Sequence, residues 1–215
     1  MSALRPYLLW DWNGTLLDDT GAAVGALNEM LVARGLSPIS IEFYRENFSF
    51  PARTFYESCG VSLGCEDWDA LAREYHAAYL RQDRALNAGA LAALARVKAA
   101  GVGQSIISAL RQDILQKETA HYGVAPWMDF VYGVDNLDGA SKLVRARELL
   151  DELVARGADP GGMVLIGDSL HDRDVAEALG VRCVLCAQGS HSAHRLRAAA
   201  PTAETLAEAV DLALG

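Results

Sequence analysis

Hydrophobic positions follow two rhythms that alternate along the chain. Short unbroken apolar runs predict strands buried on both faces, and longer segments with apolar residues every three or four positions predict helices. The first run, Tyr7-Leu8-Leu9-Trp10, leads straight into Asp11 and a turn at Asn13-Gly14. Asp19 or Thr20 is placed to cap a helix reaching about Arg34, with Gly35 ending it. From Ser37 to Asp83 the pattern stays helical without a convincing strand, giving helices near 40–47, 51–59 and 66–84 separated by Pro38, Pro51 and Gly60. Beyond Asn87 strands return, at 104–107 ending on Ser108, at 130–132, at 163–166 running into Gly167-Asp168, and at 182–185. Helices at 90–100, 112–121, 141–156, 172–179 and 202–214 fall between or after them.

Strands alternating with helices imply an α/β fold, a Rossmann-like parallel sheet with helices on both faces. The strand-free block then reads as a small helical cap inserted after the first strand. Residues 1–18 with 85–215 form the expected core domain, and 19–84 the expected cap.

Composition narrows the partners. Lys and Arg number 19 against 28 Asp and Glu, a net charge of -9. That sign does not suit a phosphate backbone, so no nucleic-acid partner is expected. The sequence shows neither a membrane-spanning run nor a signal peptide, which gives a cytoplasmic expectation with no membrane partner, as a monomer or homodimer. Four cysteines, Cys59, Cys65, Cys183 and Cys186, are too few and scattered for a disulfide framework. Cys183 and Cys186 have CxxC spacing, but on a strand positions three apart face opposite ways, which disfavours shared zinc.

The candidate chemistry comes from where the strands end. Asp11, Ser108 and Asp168 each follow an apolar strand, and parallel strands present their carboxyl ends to one crevice. Lys142 opens a helix on the same edge, preceded by Gly139 and Ser141 in a loop, with Lys117 as the rival lysine. Asp172 lies four residues beyond Asp168. Gathered carboxylates repel one another unless a cation intervenes, and oxygen-only ligands suit Mg2+ rather than zinc. Ser108, Lys142 and the amides after Asp11 and Ser108, at Gly14 and Ala109, suit an anion. Carboxylates, magnesium and an anion cradle together point to phosphoryl transfer, with Asp11 attacking phosphorus.

The motifs Asp11-Trp12-Asn13-Gly14-Thr15-Leu16, Ile106-Ile107-Ser108, Lys142 and Gly167-Asp168-Ser169-Leu170-His171-Asp172 resemble the four ordered motifs of the haloacid dehalogenase-like hydrolase superfamily, nearest to its phosphoglycolate phosphatase-like members. The resemblance implies a phosphatase for a small phosphorylated metabolite that works through an aspartyl-phosphate on Asp11. It implies phosphoryl contacts from Ser108 and Lys142, and Mg2+ ligation by Asp11, Asp168 and the backbone carbonyl of Asn13, with Asp172 in or just behind that shell. The departure is Asn13, where the family's phosphatases carry an aspartate that protonates the leaving oxygen and then activates water. An amide does neither, which removes a contribution of about 10² to 10⁴ in rate. Three readings of Asn13 stay open: a phosphatase for substrates with good leaving groups, a phosphate-ligand binding or regulatory module without turnover, or partial deamidation at Asn13-Gly14.

Other residues carry less. Thr15 is expected to buttress the turn, and Asp18 and Asp174 to be solvated carboxylates. His171 is expected to be exposed, and His191 with His194 to form a surface loop rather than a metal site. Arg53 is a candidate anchor for an anionic substrate group, weighed evenly against a surface arginine. Tyr44, Phe48 and Phe50 are expected to be cap core.

Overall fold

The computed structural model describes residues 6–64, 67–135 and 142–215. Cys65, the start of the helix expected from Glu66, and the loop expected at Gly139 and Ser141 lie outside the described residues. Six strands make one parallel sheet: β1 (Tyr7–Trp10), β4 (Gly103–Arg111), β5 (Val131–Val134), β6 (Met163–Gly167), β7 (Arg182–Cys186) and β8 (Thr202–Ala203). Their order is β5-β4-β1-β6-β7-β8, with every pairing parallel. The chain builds outward from β1 on one side, then returns to build outward on the other. Ligands of open α/β sheets settle at that reversal, beyond the carboxyl ends of β1 and β6.

Alternate side chains of the strands feed two cores. Leu8, Trp10, Ile106, Val164, Ile166 and Cys186 pack with α5 (Ala90–Ala99), α6 (Gln112–His121) and α10 (Leu206–Leu214) on one face. Tyr7, Leu9, Ile107, Leu165 and Cys183 pack with α7 (Lys142–Ala155) and α8 (Leu170–Leu179) on the other. Cys183 and Cys186 thus lie on opposite sides of the sheet, as strand periodicity requires. Buried tryptophans are satisfied: Trp10 Nε1 donates to Gln104 Oε1 at 3.0 Å and Trp12 Nε1 to Glu118 Oε2 at 2.8 Å.

The helical stretch comprises α1 (Thr20–Ala33), α2 (Ile41–Asn47), α3 (Ala52–Ser58) and α4 (Trp68–Tyr79). It has a hydrophobic cluster of its own, built on Leu27, Met30, Leu31, Phe55, Tyr56 and Leu71. The chain enters and leaves it through a two-stranded antiparallel ladder of β2 (Leu17–Asp18) and β3 (Ala85–Leu86), with Leu17 opposite Leu86 and Asp18 opposite Ala85. Asn87 locks the return by donating from Nδ2 to the carbonyls of Gly14 at 3.2 Å and Thr15 at 2.7 Å.

Several sequence expectations need correction. The helix expected over 66–84 ends at Tyr79, because the chain must turn and extend to pair with β2. Part of the helix expected over 202–214 is the edge strand β8, and α9 (Ala193–Arg197) is an added short helix. Asp18 is exposed on β2, not in a helical first turn. His191 is buried, its Nδ1 accepting from the Leu170 amide at 3.0 Å, so it anchors α8 instead of lying in a surface loop. Among the described residues no helix is long and apolar enough to cross a membrane.

Candidate active site

Asp11 follows β1 and Asp168 follows β6, and Asp172 sits in the first turn of α8. One carboxylate oxygen from each lies within 4.8 Å of the others, and all three residues are buried. A magnesium shell with ligands at about 2.1 Å spans about 4.2 Å between opposed oxygens, so this all-oxygen set has the donor chemistry for the ion and a spread near that of its shell. Lys142, the first residue of α7, reaches into the same point and donates from Nζ to Asp11 Oδ1 and Asp172 Oδ1, each at 2.5 Å. The rival Lys117 is not among the residues lining this site.

The local sequence explains the placement. Ser169 caps α8 by accepting from the Asp172 amide, and the Asp172 carboxylate accepts from the Ser169 amide in return. Asp172 Oδ2 also accepts from Ser169 Oγ at 2.6 Å and the Asp168 amide at 3.2 Å. Asp168 Oδ2 accepts from the Ser190 amide at 2.5 Å. Gly14, with φ +75°, and Gly189 flank Asp168, and a Cβ on either would collide with Asp168 Oδ2. Glycine at both positions makes room for the carboxylate.

These contacts set the protonation balance. Burial, with the Asp172 charge, outweighs Lys142 and raises Asp11 to about 7. Burial and the other two carboxylates hold Asp168 well above the usual carboxylate range. Asp172 is buried just as deeply, yet its carboxyl is lowered, because Lys142 and the Ser169 hydroxyl both favour its ionised form. Lys142 keeps its proton firmly despite burial, held by its two carboxylates.

A pH consequence follows for the metal-free protein. Between about pH 4 and 7 the folded Asp11 keeps a proton that the unfolded chain gives up, so stability falls as pH climbs through that window. Added Mg2+, which favours the ionised carboxylates, is expected to raise the melting temperature more at pH 8 than at pH 5. Thermal scans at both pH values, with magnesium or with chelator, check this, and Asp168→Asn is expected to flatten the magnesium response.

Ser108 lies within β4, not at its end, where the register against β5 shifts between Ile107 and Arg111. That irregularity leaves Ser108 and Ala109 lining the cavity above Asp11, with Ser108 Oγ accepting from the Leu110 amide at 3.0 Å. Arg53 is not among the residues lining the cavity. It is exposed, with its guanidinium 5.9 Å from the Trp68 ring centroid. His171, expected to be exposed, is half-buried against Phe50 with ring centroids 4.7 Å apart.

The residue that sequence reasoning missed is Asp19. It precedes α1 but makes no side-chain cap, turning inward instead. Its carboxylate accepts from the Gly14 amide at 2.7 Å, from Asn13 Nδ2 at 2.7 Å and from the Tyr79 hydroxyl at 2.6 Å. Asn13 Nδ2 also donates to the Tyr79 oxygen at 2.9 Å. Both amide protons of Asn13 are thereby committed. Two neighbouring carboxylates in sequence gave no sign that one would turn into the fold.

The sequence model of the haloacid dehalogenase-like hydrolase family matches residues 8–186. The chain belongs to that family. The match runs from β1 to the end of β7 and so takes in every motif quoted from the sequence. A phosphoglycolate phosphatase of Caulobacter vibrioides is 27% identical over 189 residues, covering 85% of this chain and 79% of that protein. Among solved structures, a predicted phosphatase from Clostridium acetobutylicum superposes with a TM-score of 0.81 at 18% identity, covering 99% of each chain. A haloacid dehalogenase-like family protein from Streptococcus pneumoniae gives 0.73 at 17% identity, again over 99% of each chain. The shared architecture of these chains is the parallel α/β sheet described above.

Proposed function

We propose that this hydrolase is a magnesium-dependent phosphatase for a small phosphorylated metabolite. The observation that carries the reading is the buried convergence of Asp11, Asp168 and Asp172 around Lys142 at the carboxyl edge of a parallel sheet. The relatives named as phosphoglycolate phosphatases support it. Asp11, Asp168, Asp172 and the carbonyl of Asn13 would hold Mg2+, which when bound neutralises phosphoryl charge and lets the carboxylates ionise together.

In this reading Asp11 attacks phosphorus in line, forming an aspartyl-phosphate as the bond to the leaving oxygen breaks. Lys142, anchored on Asp172, fixes the attacking carboxylate and offsets charge on the phosphoryl oxygens. Ser108 and the Ala109 amide receive those oxygens; the Gly14 amide, expected from the sequence to join them, is already committed to the Asp19 carboxylate. Water then cleaves the acyl phosphate and restores Asp11. Asn13 supplies no proton, so the leaving oxygen must depart as an anion. Residues 1–18 with 85–215 act as the catalytic core, and 19–84 as a cap that shields the intermediate from bulk water.

A second reading, a phosphate-ligand binding or regulatory module, is favoured by Asn13, whose amide protons are tied to Asp19 and Tyr79. Phosphate release from p-nitrophenyl phosphate and acetyl phosphate separates the two. Magnesium is expected to raise the rate at least about 100-fold over chelator. Absence of magnesium-dependent release from both compounds would leave the binding module standing.

A further inference from the structure

Above the acidic cluster the cavity, about 180 Å³, is walled by Tyr44, Phe48, Phe50, Tyr56, Trp68 and Tyr75. Sequence patterning assigns the first three to core alone. Tyr44 and Phe48 do stack at 4.6 Å in the helical cluster, but they also face the cavity, and Phe50 is 38% exposed at its edge. A dry cavity of about 150 Å³ takes up one benzene, so this space, which also includes the phosphoryl position, admits one ring at most.

The charges on this wall are as informative as its rings. Among the described residues Lys142 is the only lysine or arginine lining the cavity, and two carboxylates already hold it. The arginines nearby are engaged elsewhere. Arg45 donates to the carbonyls of Gly189 and Gln188, Arg195 to those of Arg45 and Phe48, and Arg84 pairs with Glu118. Four aspartates, Asp11, Asp19, Asp168 and Asp172, line the same space. A carboxylate on the leaving group would be desolvated among like charges with no further lysine or arginine of the described lining to pair it, a costly arrangement.

We infer that the substrate is an aryl phosphate, the phosphate monoester of a phenol-like ring without a carboxylate, with its ring seated between Phe50, Trp68 and the tyrosines. This rests on the phosphatase reading above, and Asn13 supports it independently. A phenolate, whose conjugate acid titrates near 10, departs without a proton far more readily than an aliphatic alkoxide. Asp11 takes the phosphoryl group, the P–O bond to the ring oxygen breaks, and that oxygen carries the electron pair away. Aromatic faces meanwhile give the ring offset or edge-on contacts beyond its apolar burial.

Two non-hydrolysable probes test the wall apart from turnover. Phenylphosphonate is expected to bind the magnesium-loaded protein at least about tenfold more tightly than phosphonoacetate, read by calorimetry. Phe50→Ala, at a part-exposed position, is expected to cut that preference severalfold. Turnover is expected to favour phenyl phosphate over 2-phosphoglycolate by a similar factor in kcat/KM. Equal or tighter binding of phosphonoacetate, or no binding of either probe, overturns the inference. Tight phenylphosphonate binding without phosphate release from any ester supports the aromatic site and removes the phosphatase reading instead.

Discussion

Asp11→Asn is expected to abolish phosphate release, by at least about 10⁴-fold, while the protein folds as before. The amide has nearly the shape of the carboxylate but no nucleophilic oxygen. Lys142 would keep Asp172 as its partner at 2.5 Å, so no buried cation is stranded. The fold loses a charge that burial and Asp172 already disfavour. Without metal, the variant should therefore melt at the same temperature or higher near neutral pH. Rates from single-turnover phosphate release, set beside the thermal scan, decide the matter. A residual rate above about a hundredth of the original would mean that another group attacks phosphorus.

The second large effect concerns the pair Asn13 and Asp19. An aspartate introduced at 13 alone would face Asp19 across the 2.7 Å now spanned by a hydrogen bond. Two carboxylates so close must share a proton or repel. Asn13→Asp is therefore expected to raise turnover of alkyl phosphates only partly, and to melt roughly 3–6 °C lower, the effect of about 1–2 kcal/mol in a chain of this size. Combining it with Asp19→Asn exchanges amide and carboxylate and keeps the hydrogen bond. The double variant should recover the melting temperature and gain about 10² in kcat on alkyl phosphates. If neither variant improves on the parent, the missing acid is not what limits poor leaving groups.

The strands and the acidic motif were legible in sequence because both rest on local pattern. Apolar runs ending in Asp11 and Asp168 place those residues at strand ends, and the parallel topology then brings the ends together. Lys142 was legible for the same reason, as the start of a helix on that edge. What was not legible depends on which way a side chain turns at a boundary. Asp19 reads as a cap by type and position, but Gly14, Asn13 and Tyr79 offer it three donors inside the fold. His191 reads as a loop residue from its Gly-Ser neighbours, and the arrival of α8 and of the Phe48 ring beside it explains its burial. The two-residue strands β2 and β3 are too short for any periodicity to show. Arg53 was a candidate because it opens a helix among aromatics, but it is exposed with its guanidinium against the Trp68 ring, a partner the local sequence does not reveal.

The ladder of β2 and β3 puts Asp18 directly opposite Ala85, about 5 Å apart in an antiparallel pair. The chain between those two residues enters and leaves through a doorway one strand-spacing wide, and Arg45 on the carbonyls of Gly189 and Gln188 and Asp19 on the Gly14 amide tie it to the sheet domain beyond that doorway. A different set of helices threaded through the same doorway would keep Asp11, Asp168 and Asp172 but would have to supply anew the carboxylate that holds Asn13 and Gly14. The insertion and the acidic turn therefore meet at Asp19, the first residue past the doorway.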